Sequence, residues 1–132
     1  MRRLIAIVLL FVACATTTSA WRVVESDVWP DPSEDGSIGE IRYAGEESVR
    51  GAFQMHPDAE FPALCFFVDE LDRGKLPRFR NDVRRPWFCF TNQDEVRGVA
   101  KAGQEARIRI ADFHYRYSHT DTYNSARFVG FD

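Results

Sequence analysis

From residue 41 onward the chain sets apolar and polar positions at strand spacing. Residues 47–55, ESVRGAFQM, alternate around Val49 and Phe53, with Gly51 between them. Period-two alternation predicts a half-buried strand, and a glycine inside it marks a bend, a bulge or a close backbone approach. Residues 56–62, HPDAEFP, are turn chemistry. Residues 63–69 (ALCFFVD) and 86–92 (PWFCFTN) are near-continuous apolar runs of strand length, which predicts two strands covered on both faces. Residues 92–103, NQDEVRGVAKAG, predict one short helix. Asn92 is placed to cap it, Asp94 and Glu95 fall in its first turn, Gly98 weakens its interior and Gly103 ends it. The longest alternating run is 105–117, EARIRIADFHYRY, and SARFVGF at 125–131 is the last strand.

The 105–117 run carries an internal conflict. Ile108 and Ile110 share a face with Asp112, His114 and Arg116, whereas Ala111, Phe113, Tyr115 and Tyr117 share the other. The apolar set therefore changes face near Ala111–Asp112, and a single strand accommodates that only with a bulge or a sharp bend.

The expected fold is all-β with one short helix, in the order β-β-β-α-β-β. That order, with a glycine-bent first strand and a long fourth strand, resembles the OB-fold, a five-stranded closed or partly open barrel. The resemblance spans about residues 41–131 and is similar to that of small exported bacterial proteins with an OB-fold-like domain. Another small antiparallel barrel or a β-sandwich answers the same pattern. OB-folds bind oligonucleotides, sugars or proteins, and the fold alone does not choose among them.

The N-terminus supplies an expected address. Arg2 and Arg3 precede the apolar run LIAIVLLFVA, and ATTTSA ends at Ala20. A basic start, a short apolar run and a small-residue exit describe a signal peptide over 1–20. FVAC also resembles a lipobox, which would anchor the chain to a membrane through Cys14. Residues 21–40, rich in acid and carrying Pro30, Pro32, Gly36 and Gly39, read as an acidic N-terminal arm. Its expected order is a short strand at 22–24, with Trp21 or Trp29 pinned onto the body. The β-domain then runs from 41 to 132. The chain has 17 Lys and Arg against 20 Asp and Glu, and removal of residues 1–20 takes net charge from −3 to −5. That acidic balance argues against a general nucleic-acid binder.

With Cys14 in the leader, Cys65 and Cys89 remain, and an oxidising compartment pairs them. The loop so closed, about 25 residues, is worth roughly 3.5 kcal/mol in the chain-entropy treatment. The alternative is two buried thiols packed as small hydrophobes. Neither cysteine has the CxxC or Cys-His spacing of a zinc site.

Two stretches are candidates for function. RGKLPRFRNDVRR, 73–85, sets Arg73, Lys75, Arg78, Arg80, Arg84 and Arg85 against Asp82 alone, with Phe79 among the arginines and Trp87 following. Basic residues interleaved with aromatics suit an anionic partner. The competing reading is that these cations pair with the protein's own acidic arm. The second stretch is the end of the long strand, where His114, Tyr115, Tyr117 and His119 are expected to form a binding rim. Asp112, His114, His119 and Asp121 are suitable ligand types for a metal, and His114 or His119 with Asp121 and a serine such as Ser118 or Ser125 for catalysis, but neither set meets a known spacing. No metal, cofactor or catalytic residue is therefore expected. There is no P-loop, dinucleotide fingerprint, HExxH or nucleophile elbow. The expected function is an exported, periplasmic or secreted binding or accessory module. Its partner would be a protein or an anionic envelope component. The alternative is a secreted inhibitor or immunity-type protein that blocks an envelope enzyme.

Overall fold

The computed structural model describes residues 20–58, 60–120 and 122–132. The signal-peptide and lipidation readings, which rest on Cys14 and the rest of residues 1–19, lie outside these residues, as does Asp121. Among the described residues no helix is long and apolar enough to cross a membrane.

The strands are β1 (Trp21–Pro30), β2 (Ser37–Met55), β3 (Leu64–Val68), β4 (Trp87–Phe90), β5 (Glu105–Tyr117) and β6 (Asn124–Phe131). A 3-10 turn spans Glu70–Lys75, and the single α-helix among the described residues, α1, spans Gln93–Arg97. The chain is thus mostly β with little helix. The strands form a mixed sheet in the order β1-β2-β3-β4-β6-β5, and a further β2–β5 pairing turns five of them into a ring of hydrogen bonds. All neighbours are antiparallel except β4 and β6, which run parallel. That parallel pair makes the sheet mixed rather than all-antiparallel.

Three expectations need correction. The strand expected at 22–24 is longer than that: 21–30 form a full strand, and 37–40 begin β2. The chemistry of Pro30, Pro32 and Gly36 belongs to the hairpin turn between them. The helix stops at Arg97 rather than Gly103, with Gly98 at its C-cap, so the interior glycine ends it. Asn92 stands at the N-cap without a capping bond. Its side chain instead links α1 to β6, donating to the Phe128 carbonyl and accepting the Phe128 N–H, each at 2.8 Å.

The face change in β5 falls where the alternation demands it. Asp112 adopts φ 54°, and the register slips there against both neighbours, between Arg42 and Glu46 on β2 and between Ala111 and His114 facing β6. This bulge lets Ile108, Ile110, Phe113 and Tyr115 all point into one core. They meet Val49, Phe53, Phe66, Phe88, Phe90 and Phe128, each nearly inaccessible to water. Trp21 is the pinned tryptophan. It packs on Tyr43 and Phe113 and donates from Nε1 to the Lys75 carbonyl at 2.9 Å. Trp29 is half-exposed.

Gly51 is a close backbone approach. A Cβ there would overlap the Phe67 carbonyl oxygen and come within 2.8 Å of the Phe66 ring. Gly51→Ala is therefore expected to lower stability by about 1–3 kcal/mol, the usual cost of overpacking. A urea midpoint within error of the parent would show that β3 can move away from β2.

Candidate functional site

Strand pairing builds the site. β3 and β4 face each other with Cys65 opposite Cys89 and Phe67 opposite Trp87. Side chains alternate, so Leu64, Phe66, Phe88 and Phe90 enter the core while Cys65, Phe67, Trp87 and Cys89 occupy the outer face. There the two cysteines form a disulfide. Phe67 and Trp87 lie beside it with ring planes 5° apart and centroids at 5.3 Å.

Two loops close over this face. The β2–β3 loop brings His56 and Phe61, and the β5–β6 loop brings Tyr123. Tyr123 stacks on Trp87 at 6.3 Å, and His56 sits edge-on to Trp87 at 5.5 Å and to Tyr123 at 5.2 Å. Phe61 approaches His56 at 5.1 Å and Tyr123 at 5.6 Å. The rings wall an open cleft of about 470 Å³, with Pro57, Asp58 and Thr122 at its edges. That size falls within the usual span of about 300–1,000 Å³ for small-ligand sites. The Arg85 guanidinium also lies over Phe67, 5.4 Å from the ring centroid. Arg85, Phe67, Trp87 and Tyr123 thus form one ladder of cation and ring faces.

The base of the β2–β3 loop is anchored from below. Gln93 on α1 accepts the Leu64 N–H and donates to the Leu64 carbonyl, at 2.7 and 2.8 Å. Arg97 donates to the Pro62 carbonyl.

The basic segment 73–85 is largely engaged with the protein itself. Arg73 pairs with Glu70 and donates to the carbonyls of Val83 and Arg84. Lys75 donates to the Ser48 carbonyl and pairs with Asp72. Arg84 chelates Asp82, donates to the carbonyls of Thr122 and Arg116 at 3.1 and 2.7 Å, and lies 4.8 Å above the Tyr117 ring. Phe79 stands edge-on to Tyr115 at 5.0 Å. Arg80 reaches the acidic turn, pairing with Asp35 at 3.0 Å where both are exposed. Arg78 and Arg85 stay exposed, and no carboxylate pairs with either among the described residues.

The expected rim of His114, Tyr115, Tyr117 and His119 is not one surface. Tyr115 is core, 1% exposed, and its hydroxyl donates to Asp82 at 2.5 Å. His114 is buried on the opposite face of β5, against Glu40 and Arg116. Burial first, then the charges of Arg116 and Arg42, push its pKa below the ordinary value, so the ring is neutral and accepts from Arg116. His119 lies beyond the strand end, where its Nε2 is 2.9 Å from both oxygens of Asp31 and 2.9 Å from Ser33 Oγ. The Asp31 hydrogen bond raises the His119 pKa and holds the Asp31 carboxyl well below the usual range. Asp112 pairs with Arg127. The expected ligand set of Asp112, His114 and His119 therefore serves three unrelated contacts.

These groups do not form a hydrolytic triad. A relay needs a base at one imidazole nitrogen and an orienting carboxylate at the other. Here Ser33 and Asp31 crowd the same nitrogen. The aromatic cleft, by contrast, offers open ring edges and faces around a volume of small-ligand size. Its residues His56, Phe61 and Tyr123, and Phe67 beside it, did not stand out along the sequence, where 56–62 read only as a turn. The available signal was the cysteine pair, since an antiparallel Cys65–Cys89 register necessarily sets Phe67 beside Trp87. No family model, curated protein or solved structure matches the chain.

Proposed function

We propose that the chain is an exported, non-catalytic binding module on an OB-like barrel, whose ligand lies in the cleft of His56, Phe61, Trp87 and Tyr123. The observation that carries this reading is the ladder of Arg85, Phe67, Trp87 and Tyr123 on the outer face of β3 and β4. With β2 taken as the first barrel strand, the ring runs first, second, third, fifth, fourth, with the third and fifth parallel and α1 between the third and fourth. In the OB scaffold, ligands sit on the second and third strands between the first–second and fourth–fifth loops. Those are β3 and β4, the 56–63 loop and the 118–123 loop here. The basic leader and the Cys65–Cys89 disulfide support export.

The chemistry favours an acidic glycan. Ring faces pack against the apolar faces of pyranose units, and Arg85, with Arg78 on the same basic segment, offers charge to uronate or sulfate groups. The test is fluorescence titration with a polyuronate and with neutral dextran as comparison. Binding should be confined to the polyuronate. Trp87→Ala or Tyr123→Ala should weaken it about tenfold or more, as loss of a stacking ring does. Arg85→Glu should weaken it and remove much of its salt dependence. Retained binding in Trp87→Ala together with loss in Arg78→Glu/Arg80→Glu would move the site to the basic segment.

A further inference from the structure

The turn between β1 and β2 carries a second cluster, on residues the cleft does not use. Asp31 closes this turn: its N–H donates to the Gly36 carbonyl at 3.0 Å, and its carboxylate accepts from the Ser33 N–H and Oγ. Asn81 reaches the same carboxylate at 3.4 Å. The Asp31 side chain is wholly removed from solvent. From 88 residues away, His119 sets Nε2 at 2.9 Å from both carboxylate oxygens. A single ring N–H can lie along only one of the lines to Asp31 Oδ1, Asp31 Oδ2 and Ser33 Oγ. The crowding of three oxygens about one nitrogen is therefore more than a hydrogen bond requires. Glu34 adds a second carboxylate, held by the Tyr117 hydroxyl at 3.4 Å, and one ligand atom from each of Asp31, Glu34 and His119 lies within 4.8 Å of the others.

The charges are unbalanced. Two carboxylates face one imidazole, while the nearby cations are engaged: Arg80 with Asp35, and Arg84 with Asp82. A divalent ion would neutralise the pair and relieve the crowding. Zinc sits about 2.0–2.2 Å from nitrogen and oxygen ligands, so neighbouring donors in a tetrahedron are about 3.4 Å apart. His119 and Asp31 would have to separate by only about half an ångström. Glu34 and His119 are exposed, and their side chains can turn to meet the ion. The bonds from Ser33, Asn81 and Tyr117 would orient the two carboxylates as the outer contacts of metal sites do. A mixed imidazole and carboxylate set suits zinc and similar transition ions better than magnesium or calcium.

We propose that Asp31, Glu34 and His119 bind a zinc-like divalent transition ion, completed by water, which clamps the 31–36 turn to the 118–120 loop. Without the ion the Asp31–His119 contact keeps the same two segments together. The site is independent of the glycan cleft, although the clamped loop leads directly into Thr122 and Tyr123.

The chelator-treated protein would be titrated with Zn²⁺ by calorimetry and with Co²⁺ by visible absorption, with Mg²⁺ and Ca²⁺ as comparisons. The expected result is a single equivalent of Zn²⁺ or Co²⁺ bound, a Co²⁺ band from a low-coordinate site, and no comparable binding of the hard ions. His119→Ala and Glu34→Gln should each weaken Zn²⁺ binding about tenfold or more, since even outer partners of a ligand are worth that much. His56→Ala and His114→Ala should leave it unchanged within about twofold. Asp31→Asn would also disturb the turn, so Glu34→Gln, which leaves the Asp31 bonds in place, separates ligation from folding. Absence of binding, or stoichiometric binding that survives both His119→Ala and Glu34→Gln, would overturn the site.

Discussion

Asp82→Ala is expected to destabilise the protein by about 3 kcal/mol, the lower end of the range for removing one partner of a buried ion pair. The lower end applies because the Arg84 side chain keeps 31% of its exposure, while Asp82 keeps 5%. The Asp82 carboxylate accepts from the Arg84 backbone N–H, from Arg84 Nε and Nη2, and from the Tyr115 hydroxyl. Tyr115 in turn accepts the Phe79 N–H at 3.1 Å. One side chain thus ties the basic segment to β5 and, through Arg84, to the carbonyls of Arg116 and Thr122 at the edge of the cleft. Alanine would leave the guanidinium without its counter-ion and the phenol without its acceptor. Tyr115→Phe should cost about 1 kcal/mol, because it removes one hydrogen bond and leaves the ion pair. Equilibrium urea unfolding separates the two. A loss below about 1 kcal/mol for Asp82→Ala would mean that Arg84 regains water and the segment is peripheral.

The same pair sets an acid dependence. Burial raises the Asp82 pKa, but the hydrogen bonds from Arg84 and Tyr115 outweigh it, so the carboxyl titrates below the ordinary value. A depressed folded pKa contributes stability that is fully present above the unfolded value, about 3.9, and is lost as pH falls through the folded value. The gap between parent and Asp82→Ala should therefore stay constant from neutral pH to about 4 and narrow below it.

The strands that enclose the core were legible because their patterns are local. Val49 and Phe53 on β2, the apolar runs of β3 and β4, and the face change at Asp112 each follow from residues near in sequence. Only 22–24 of β1 could be read as strand because β1 is a hairpin extension beside β2, with every residue after Trp21 exposed except for its pairing. A strand that buries almost nothing has no alternation to betray it. The partners of the basic segment were open in the sequence for a different reason. Glu70 and Asp72, which engage Arg73 and Lys75, are close in sequence, but the carbonyls that hold Arg84 come from 116 and 122 and the carboxylate that holds Arg80 from 35. Composition reports the charge of a segment and not where its donors turn. The cleft was hidden because its rings come from three separate places along the chain: His56 and Phe61, Trp87, and Tyr123. They become neighbours only once β3 and β4 are in register.

That register is why the disulfide should matter beyond its loop. Replacing both cysteines by alanine is expected to cost about 3.5 kcal/mol from the 24-residue separation between them, the chain-entropy contribution of the cross-link. The loop so released contains the 3-10 turn and the whole basic segment, which has little regular structure of its own to limit the unfolded ensemble. Cys65 and Cys89 are also 0% and 3% exposed, packed with Ala63 beneath Trp87 and Tyr123. Alanine removes the sulfurs from under those rings, so the aromatic ladder should loosen even under conditions where the variant remains folded. Two measurements then move together: the urea midpoint falls, and near-ultraviolet circular dichroism from Trp87 and Tyr123 weakens. Reduction of the parent should reproduce the fall in midpoint while the sulfurs still occupy the site, leaving more of the aromatic signal. A double-alanine variant within about 0.5 kcal/mol of the parent would mean that β3 and β4 keep their partners in the unfolded ensemble without the cross-link. The aromatic face would then be held by ring packing and by the hydrogen bonds of Gln93 to Leu64, Arg97 to Pro62 and Arg84 to Thr122.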